Sequence, residues 1–188
     1  MSLAIQQFFY FVKDIDKNLG RNKIRLFLLV FSPVFWGLFK YRFDRFLSLL
    51  FGKFYVVIRL VFFPLFLVLE VYSRMDINFR ADILGGLRIL HTSVGIVISG
   101  NSIIGENLIL TGGNIIGGKI EGPILIGDNC SLGANATIIG PIKLGNGIKI
   151  GANACVVKDC LSDGVILVGV PAKPLSKSVF LDDSLNTF

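Results

Sequence analysis

The sequence has few residues that bind metals or form disulfides. Its 188 residues include one histidine, His91, and three cysteines without CxxC spacing. A zinc site needs about four such ligands, so we expect no metal. An odd number of unpaired cysteines is typical of reduced thiols in a cytoplasmic protein. Charged residues are also scarce, at 17%, whereas 53% are hydrophobic, and this balance excludes a disordered chain.

The sequence also lacks signals for nucleic acid binding and for secretion. It contains no helix-turn-helix, zinc-finger or RNA-binding signature, so nucleic acid is not an expected partner. No basic start leads into a short apolar core, so no secretory signal is predicted. Positive charge is concentrated in residues 1–60, with ten Lys/Arg against three Asp/Glu. Because these basic residues flank aromatic runs, they suit an anionic membrane surface better than a nucleic acid groove.

Residues 1–73 are predicted to form a helical, basic and hydrophobic segment, because apolar residues recur at helical spacing. Ser32-Pro33 indicates a helix start, and Gly20 and Gly52 indicate helix ends. The helix that starts at Pro33 has one broad apolar stripe. Packing on the protein and an interfacial helix with basic residues at lipid headgroups both fit this pattern. The basic residues toward its other face are Lys40, Arg42 and Arg45.

Residues 54–72 form an apolar stretch that carries Arg59, Pro64 and Glu70. A charge near the bilayer centre costs about 3 kcal/mol or more, which disfavours a membrane span. Three readings stay open: burial in the protein, peripheral attachment to a membrane, and spanning. The expected location is the cytoplasm, and under the peripheral reading residues 1–73 contact the inner face of the cytoplasmic membrane.

From about Met75 the sequence repeats every six residues. A period of six excludes an amphipathic helix, whose period is about 3.6, and predicts a short strand and a turn in each hexad. Three hexads would close one triangular coil, so we predict a parallel β-helix over residues 74–175 and a tail over 176–188. His91 lies where a short insertion interrupts the repeat. The repeating aliphatic residues are Ile77, Ile83, Ile89, Ile98, Ile104, Leu110, Ile116, Ile126, Leu132, Ile138, Leu144, Ile150 and Val156.

These hexads resemble those of the left-handed β-helix acyltransferases. The segment from Asp76-Ile77 to His91-Thr-Ser-Val-Gly-Ile-Val-Ile98 and the turn Ile115-Ile-Gly-Gly118 are similar to the serine acetyltransferase group. Val156-Val-Lys-Asp159 and Val168-Gly-Val-Pro-Ala-Lys173 are similar to the family's C-terminal signature. The resemblance covers residues 75–175. It implies a left-handed coil, a homotrimer, and acetyl transfer from acetyl-coenzyme A to a hydroxyl.

The same resemblance implies a catalytic pair. His91 would be the general base, and Asp76, fifteen residues earlier, would orient it. The chemistry agrees, because a hydroxyl becomes a good nucleophile only when a positioned base accepts its proton, and a carboxylate can fix the imidazole tautomer. Asp82 and Asp128 are alternative carboxylates for this role.

The resemblance also implies a coenzyme A site. Glycines would lie near the thioester, small residues along the pantetheine arm, and lysines at the phosphates. For each glycine or alanine, the corner of a coil is an equally good explanation. The residues implied are Gly117 and Gly118, Ala134 and Ala152, and Lys158 and Lys173, respectively.

Two departures from the serine acetyltransferase pattern concern the acceptor. Leu90 stands where that group has an acidic residue, and Lys119-Ile-Glu-Gly-Pro123 lacks that group's Arg-His pair. These departures argue against free serine as the acceptor. The same core with a short hydrophobic, basic N-terminal part resembles O-acetyltransferases of bacterial capsule, O-antigen and exopolysaccharide pathways, and this resemblance implies a sugar hydroxyl as the acceptor. A sugar amine, free serine, and a non-catalytic membrane-attached β-helix scaffold stay as alternatives.

Overall fold

The structure, a computed structural model, describes residues 2–19, 30–118 and 122–175. In these residues three helices come first: α1 (Leu3–Leu19), α2 (Pro33–Phe51) and, after a 3-10 turn over Gly52–Phe54, α3 (Tyr55–Ser73). Fifteen short strands follow: β1 (Met75–Ile77), β2 (Asp82–Ile83), β3 (Arg88–Ile89), β4 (Ile96–Ile98), β5 (Ser102–Ile104), β6 (Ile109–Leu110), β7 (Asn114–Gly117), β8 (Ile124–Ile126), β9 (Ser131–Leu132), β10 (Thr137–Ile139), β11 (Ile142–Leu144), β12 (Lys149–Ile150), β13 (Cys155–Val156), β14 (Ile166–Val168) and β15 (Lys173–Pro174).

The strands form three sheets of parallel strands, and from β1 to β13 successive strands belong to successive sheets, whereas β14 and β15 both belong to the third. Sheet A has the order β1-β4-β7-β10-β13, sheet B the order β2-β5-β8-β11, and sheet C the order β3-β6-β9-β12-β14-β15. Only the last pair of sheet C, β14 with β15, is antiparallel. Each coil therefore adds one strand to each face of a triangular column, which confirms the predicted parallel β-helix.

The core of the column consists of the six-residue repeat. Every repeating aliphatic residue, from Ile77 to Val156, is buried. A second inward set alternates with it and is also buried: Cys130, Ala136, Ile142, Ile148 and Ala154. Burial raises the pKa of the Cys130 thiol. This thiol is therefore a packing group and not a reactive one.

Two coils are longer than the others. Ile96 pairs with Asn114, eighteen residues later, whereas Met75 pairs with Ile96, twenty-one residues later. The extra residues of the first coil lie in the loop 90–95, which confirms an insertion at His91. Ile115 pairs with Thr137, twenty-two residues later, and this second insertion follows Gly117. Its residues 119–121 lie outside the described part of the chain.

Helices α1 and α2 cap the first coil of the β-helix. A β-helix ends in backbone N–H and C=O groups without a neighbouring strand, and burying them unpaired is costly. Asp14 Oδ1 accepts hydrogen bonds from the N–H groups of Gly86 and Leu87, both at 2.8 Å. Tyr41 Oη donates to the Ala81 carbonyl at 2.9 Å. Side chains of the helices thus replace the missing coil.

The predicted boundaries of α2 are confirmed. Ser32 Oγ accepts a hydrogen bond from the N–H of Phe35 at 3.3 Å, Pro33 is the first helical residue, and Gly52 follows the last. The end predicted at Gly20 lies outside the described residues, and α1 extends to Leu19.

The reading that places the basic residues of α2 at lipid headgroups is wrong. Lys40 Nζ pairs with Glu70 Oε2 at 2.9 Å, and Arg42 Nε pairs with Asp14 Oδ2 at 2.8 Å. Arg45 Nη2 pairs with Asp82 Oδ1 at 2.6 Å. These cations are turned into the protein because α1, α3 and β2 supply acids, and the first coil supplies carbonyls that would otherwise lack a partner.

Helix α3 is packed on one side only. Phe62 and Phe66 make edge-to-face contacts with Phe43 of α2, with ring centroids 5.6 and 6.3 Å away. Most of its other side chains are exposed, so burial of the whole stretch 54–72 is wrong. In the described residues, the helical run Pro33–Ser73 has the length and composition of a membrane span, with a mean hydropathy of 2.3 in its most apolar window. Only 17% of that window is buried.

Asp44 predicts a stability that depends on pH. It is fully buried between α2 and α3, and neither carboxylate oxygen has a hydrogen-bond partner among the described residues. Burial raises the pKa of this carboxyl from 3.8 to about 6, although Arg59, 3.8 Å away, opposes the shift. A raised acid pKa favours the folded state when the group is protonated. This stabilisation is complete below pH 3.8 and is lost as the pH rises through about 6.

We therefore expect Asp44→Asn to raise the free energy of unfolding by about 2 kcal/mol at pH 8 and to change it little at pH 4. Urea unfolding at the two pH values measures the difference, and Asp16→Asn, on the exposed face of α1, is the matched control. An equal effect of Asp44→Asn at both pH values would contradict the raised pKa of Asp44.

Candidate functional site

His91 lies in the loop between β3 and β4 and is exposed. Its backbone N–H donates to the carbonyl of Thr111 on the next coil, at 3.0 Å. On the other side of the loop, Arg74 Nη1 donates to the Ser93 carbonyl at 2.6 Å. Within the loop, the N–H of Gly95 donates to the Thr92 carbonyl at 2.8 Å. The histidine therefore projects into solvent from a loop held at several backbone positions.

Gly112 allows the next coil to pack against this loop. Its φ is +138°, and a Cβ there would lie 2.4 Å from the carbonyl oxygen of His91. Its N–H donates to Oδ1 of Asn114, a buried side chain whose Nδ2 donates to the Gly133 carbonyl at 2.7 Å. The sequence reading missed both residues. The signal was Gly112-Gly113-Asn114 at the corner that follows the insertion.

A groove runs beside the His91 loop at the end of α3. It is lined by Glu70 and Arg74 from the helix end, by Asp76 on β1, and by the edges of the next two coils, including Gly95 and Ile115. Arg74 has a left-handed backbone, with φ +56°, and its N–H donates to the Glu70 carbonyl. This conformation ends α3 and leads the chain into β1. Sequence reasoning missed Arg74 because no repeat position marks it.

The structure does not bond Asp76 to His91. Among the described residues, neither side chain has a hydrogen bond or an ion pair, so the orienting role of Asp76 stays a prediction. In the register of the first coil, which has twenty-one residues, the residue that stacks on Asp76 is Val97. The two alternative carboxylates are engaged elsewhere. Asp82 pairs with Arg45, and Asp128 Oδ1 accepts a hydrogen bond from the N–H of Glu106.

A second groove, mostly apolar, contains the two predicted glycines of the coenzyme A site. It is bounded by Ile115, Gly117 and Gly118 on one coil and by residues 137–140 on the next. A Cβ on Gly117 would meet no atom closer than 3.8 Å. A Cβ on Gly118 would lie 2.3 Å from the carbonyl oxygen of Gly140. Gly118 is thus explained by coil packing, whereas Gly117 leaves its space to the groove.

The other four predicted coenzyme A residues lie outside this groove. Ala134 and Ala152 stack at one corner of the column, where the N–H of Asn153 donates to the Ala134 carbonyl at 2.8 Å. Lys173 is exposed near this corner, and Lys158 is exposed on the other side of sheet A, after β13. The structure therefore divides the six residues between the two sides of sheet A.

Comparisons with known proteins agree with this architecture. Residues 123–158 match the family model described as the hexapeptide repeat of succinyl-transferase. Serine acetyltransferase from Neisseria gonorrhoeae in complex with serine has a similar structure, with 26% identity over 92% of this chain and 70% of that chain and a TM-score of 0.74. A second structure of the same Neisseria gonorrhoeae enzyme is also similar, with 27% identity over 92% of this chain and 67% of that chain and a TM-score of 0.71.

A third similar structure, serine acetyltransferase from Brucella abortus in complex with coenzyme A, shows likeness of fold. It has 22% identity over 92% of this chain and 68% of that chain, with a TM-score of 0.68. Among curated proteins, no sequence matches the chain. The predicted fold class, a left-handed parallel β-helix with an N-terminal helical segment, is confirmed. Of the described residues, none form a cluster that could hold a metal.

Proposed function

We propose that this protein is an acetyl-CoA-dependent O-acetyltransferase that acts on a sugar hydroxyl of a bacterial surface polysaccharide or of its precursor. The comparisons support the coarser assignment, an acyltransferase with hexapeptide repeats. The observation that carries the proposal is the position of His91. The only histidine of the chain is exposed on a backbone-anchored loop, beside a groove lined by two carboxylates and a guanidinium.

The proposed reaction is a direct transfer. His91 accepts the proton of the acceptor hydroxyl while the hydroxyl oxygen attacks the thioester carbonyl carbon. The tetrahedral intermediate collapses as the C–S bond breaks, and the proton on His91 passes to the departing thiolate. Asp76 would steady the imidazolium that forms between the two steps.

The donor is best accommodated along sheet A. The groove at Gly117 has apolar walls, which suit the aliphatic parts of the pantetheine arm. Lys158 and Lys173 are exposed on either side of the sheet and available to phosphates. A structure of similar fold holds coenzyme A, which supports coenzyme A as the donor's carrier. We also propose a homotrimer, in which a neighbouring column would close the groove.

The surroundings of His91 support a sugar acceptor. Leu90, beside it, is 42% exposed, so the position offers an apolar contact where a free amino acid would need a carboxylate for its ammonium. Arg74 Nη1 donates to the Ser93 carbonyl. The other guanidinium N–H groups of Arg74 have no hydrogen-bond partner among the described residues, and Arg74 lines the groove. A guanidinium and two carboxylates on one groove suit a ligand with several hydroxyls.

Serine O-acetyltransferase activity is the second candidate. The similar Neisseria gonorrhoeae enzyme forms a complex with serine, and Arg74 could pair with the carboxylate of an amino acid. The two candidates differ in the acceptor alone, since donor and base are shared.

We expect purified protein to transfer acetyl from acetyl-CoA to sugar acceptors with a kcat/KM at least about tenfold above that for serine, because a mispaired charge costs 1.4 kcal/mol or more. Release of the coenzyme A thiol measures the rate, and mass spectrometry of the acceptor identifies the product. A higher kcat/KM for serine would replace the sugar proposal with the second candidate.

Coenzyme A titration tests the non-catalytic alternative. A ligand specific to the folded state at one hundred times its Kd adds about 2.7 kcal/mol of stability. We expect a corresponding rise in Tm, and its absence would favour a scaffold. Leu161→Gln changes an exposed turn that is distant along the chain from the groove at Gly117, so coenzyme A should raise the Tm of this variant as it does for the original chain.

A further inference from the structure

We infer that α3 docks on the surface of an anionic phospholipid bilayer and lies in the interface without crossing it. This inference is independent of the proposed reaction. It rests on one continuous surface, which we call the outer α3 face. Its members are apolar and between 49% and 75% exposed: Val56, Val57, Leu60, Val61, Leu67, Val68 and Val71.

The width of this surface favours lipid over a second protein. At about 100° per residue, the exposed apolar side chains of α3, from Phe63 round to Leu65, span an arc of about 200°. A packed helix covers a stripe of about 100°. Lipid chains conform to a convex helix and can cover the whole arc, whereas one rigid helix from a second copy would leave half of it in water.

The position of the β-helix argues against a span. Arg42 and Arg45, in the middle of α2, bind carbonyl groups of the first coil at residues 79–84. Since α3 packs along α2, a bilayer around the full length of both helices would also enclose that coil. The coil carries exposed Asn78 and Arg80, which would be costly in hydrocarbon. An interfacial position places only the outer α3 face in lipid.

Charge near this face favours anionic headgroups. No acidic residue occurs in the sequence between Asp44 and Glu70, whereas Lys53 and Arg59 both occur there. Lys53 is exposed in the turn before α3, and the side chain of Arg59, which lies 3.8 Å from Asp44 and over the ring of Phe79, is still 41% exposed. Basic residues beside an inserted apolar face each add about 1 kcal/mol near an anionic membrane surface.

Vesicle flotation of the full chain tests the inference. We expect the protein to float with vesicles of phosphatidylcholine mixed with phosphatidylglycerol, and to float less with phosphatidylcholine alone. Leu60→Gln/Val61→Gln/Val68→Gln should lower the bound fraction by at least about tenfold, because three exposed apolar side chains lose their lipid contact. The matched control, Leu161→Gln/Val170→Gln, replaces equally exposed apolar residues of the β-helix and should float like the original chain.

Three results would overturn the inference. One is that the protein floats with neither kind of vesicle, or that the triple variant floats as well as the original chain. Another is concentration-dependent self-association that the triple variant abolishes while no vesicle is bound, which would assign the face to a second copy. The last is resistance of bound protein to alkaline carbonate, which would indicate a span. Because none of these readouts measures acetyl transfer, failure here leaves the proposed function untouched.

Discussion

His91→Ala is expected to lower kcat for acetyl transfer by about 10²- to 10⁴-fold, the range for loss of a general base. No other histidine exists to replace it. The side chain is exposed and has no hydrogen bond among the described residues, so its removal should leave the coil intact. Steady-state kinetics with the acceptor identified by mass spectrometry measure the change.

The control for His91→Ala is its neighbour, Leu90→Ala. Leu90 is also exposed at the same loop, and it has no proton to exchange. We expect it to alter the KM for the acceptor more than kcat. Coenzyme A should raise the Tm of both variants as it does for the original chain, since Gly117 lies on another groove. A His91→Ala protein with more than about a tenth of the original kcat would exclude His91 as the base.

The β-helix was predictable from sequence because its rule is local and repeated. Each hexad places one aliphatic residue inward, and thirteen such positions read from the sequence are all buried. The insertion at His91 was visible for the same reason, since it shifts the repeat by three residues between Ile89 and Ile98.

The site itself was only partly predictable. Sequence spacing allowed Asp76 and His91 to meet on adjacent rungs, and this pairing stays a prediction; the spacing did not show that the insertion stacks Val97 on Asp76. Arg74 and Gly112 act through backbone contacts across coils, which a spacing rule cannot report. Such contacts depend on which rung lies above which, and that is known only once the register is known.

The helical segment was the least predictable part. A cation beside an aromatic stripe has the same pattern whether it faces lipid or a buried carboxylate. Lys40 and Arg42 face carboxylates instead of lipid because Glu70 and Asp14, distant in sequence, lie opposite them. Helix α3 has no such partners over most of its length, and its apolar side chains stay exposed.

Arg42→Met is expected to lower the free energy of unfolding by about 3–5 kcal/mol, the range for breaking a buried ion pair. Arg42 is 3% exposed, and its Nε pairs with Asp14 Oδ2. Its Nη1 and Nη2 donate to the carbonyls of Ile83 and Leu84 at 2.7 and 2.9 Å. The substitution leaves a buried carboxylate without its cation and two coil carbonyls without donors. Urea unfolding measures the loss.

Two variants separate this cap from a general effect of removing charge. Lys13→Met breaks a surface pair with Glu106, whose side chains are 56% and 43% exposed, and should change stability by less than about 1 kcal/mol. Asp14→Asn/Arg42→Met should be more stable than Arg42→Met alone. The asparagine oxygen still accepts from Gly86 and Leu87, and no charge is left buried.

If Arg42→Met does not fold, Arg42→Lys carries the test. Lysine keeps the charge for Asp14 but cannot reach both carbonyls with a planar fork, so an intermediate loss of stability is expected. A loss below about 1 kcal/mol in Arg42→Met would mean that the first coil satisfies its own backbone. The helices would then be an accessory to the β-helix. A loss in the expected range would show that the helices take the place of a coil before the first one, because α2 provides the donors for the carbonyls of Ile83 and Leu84.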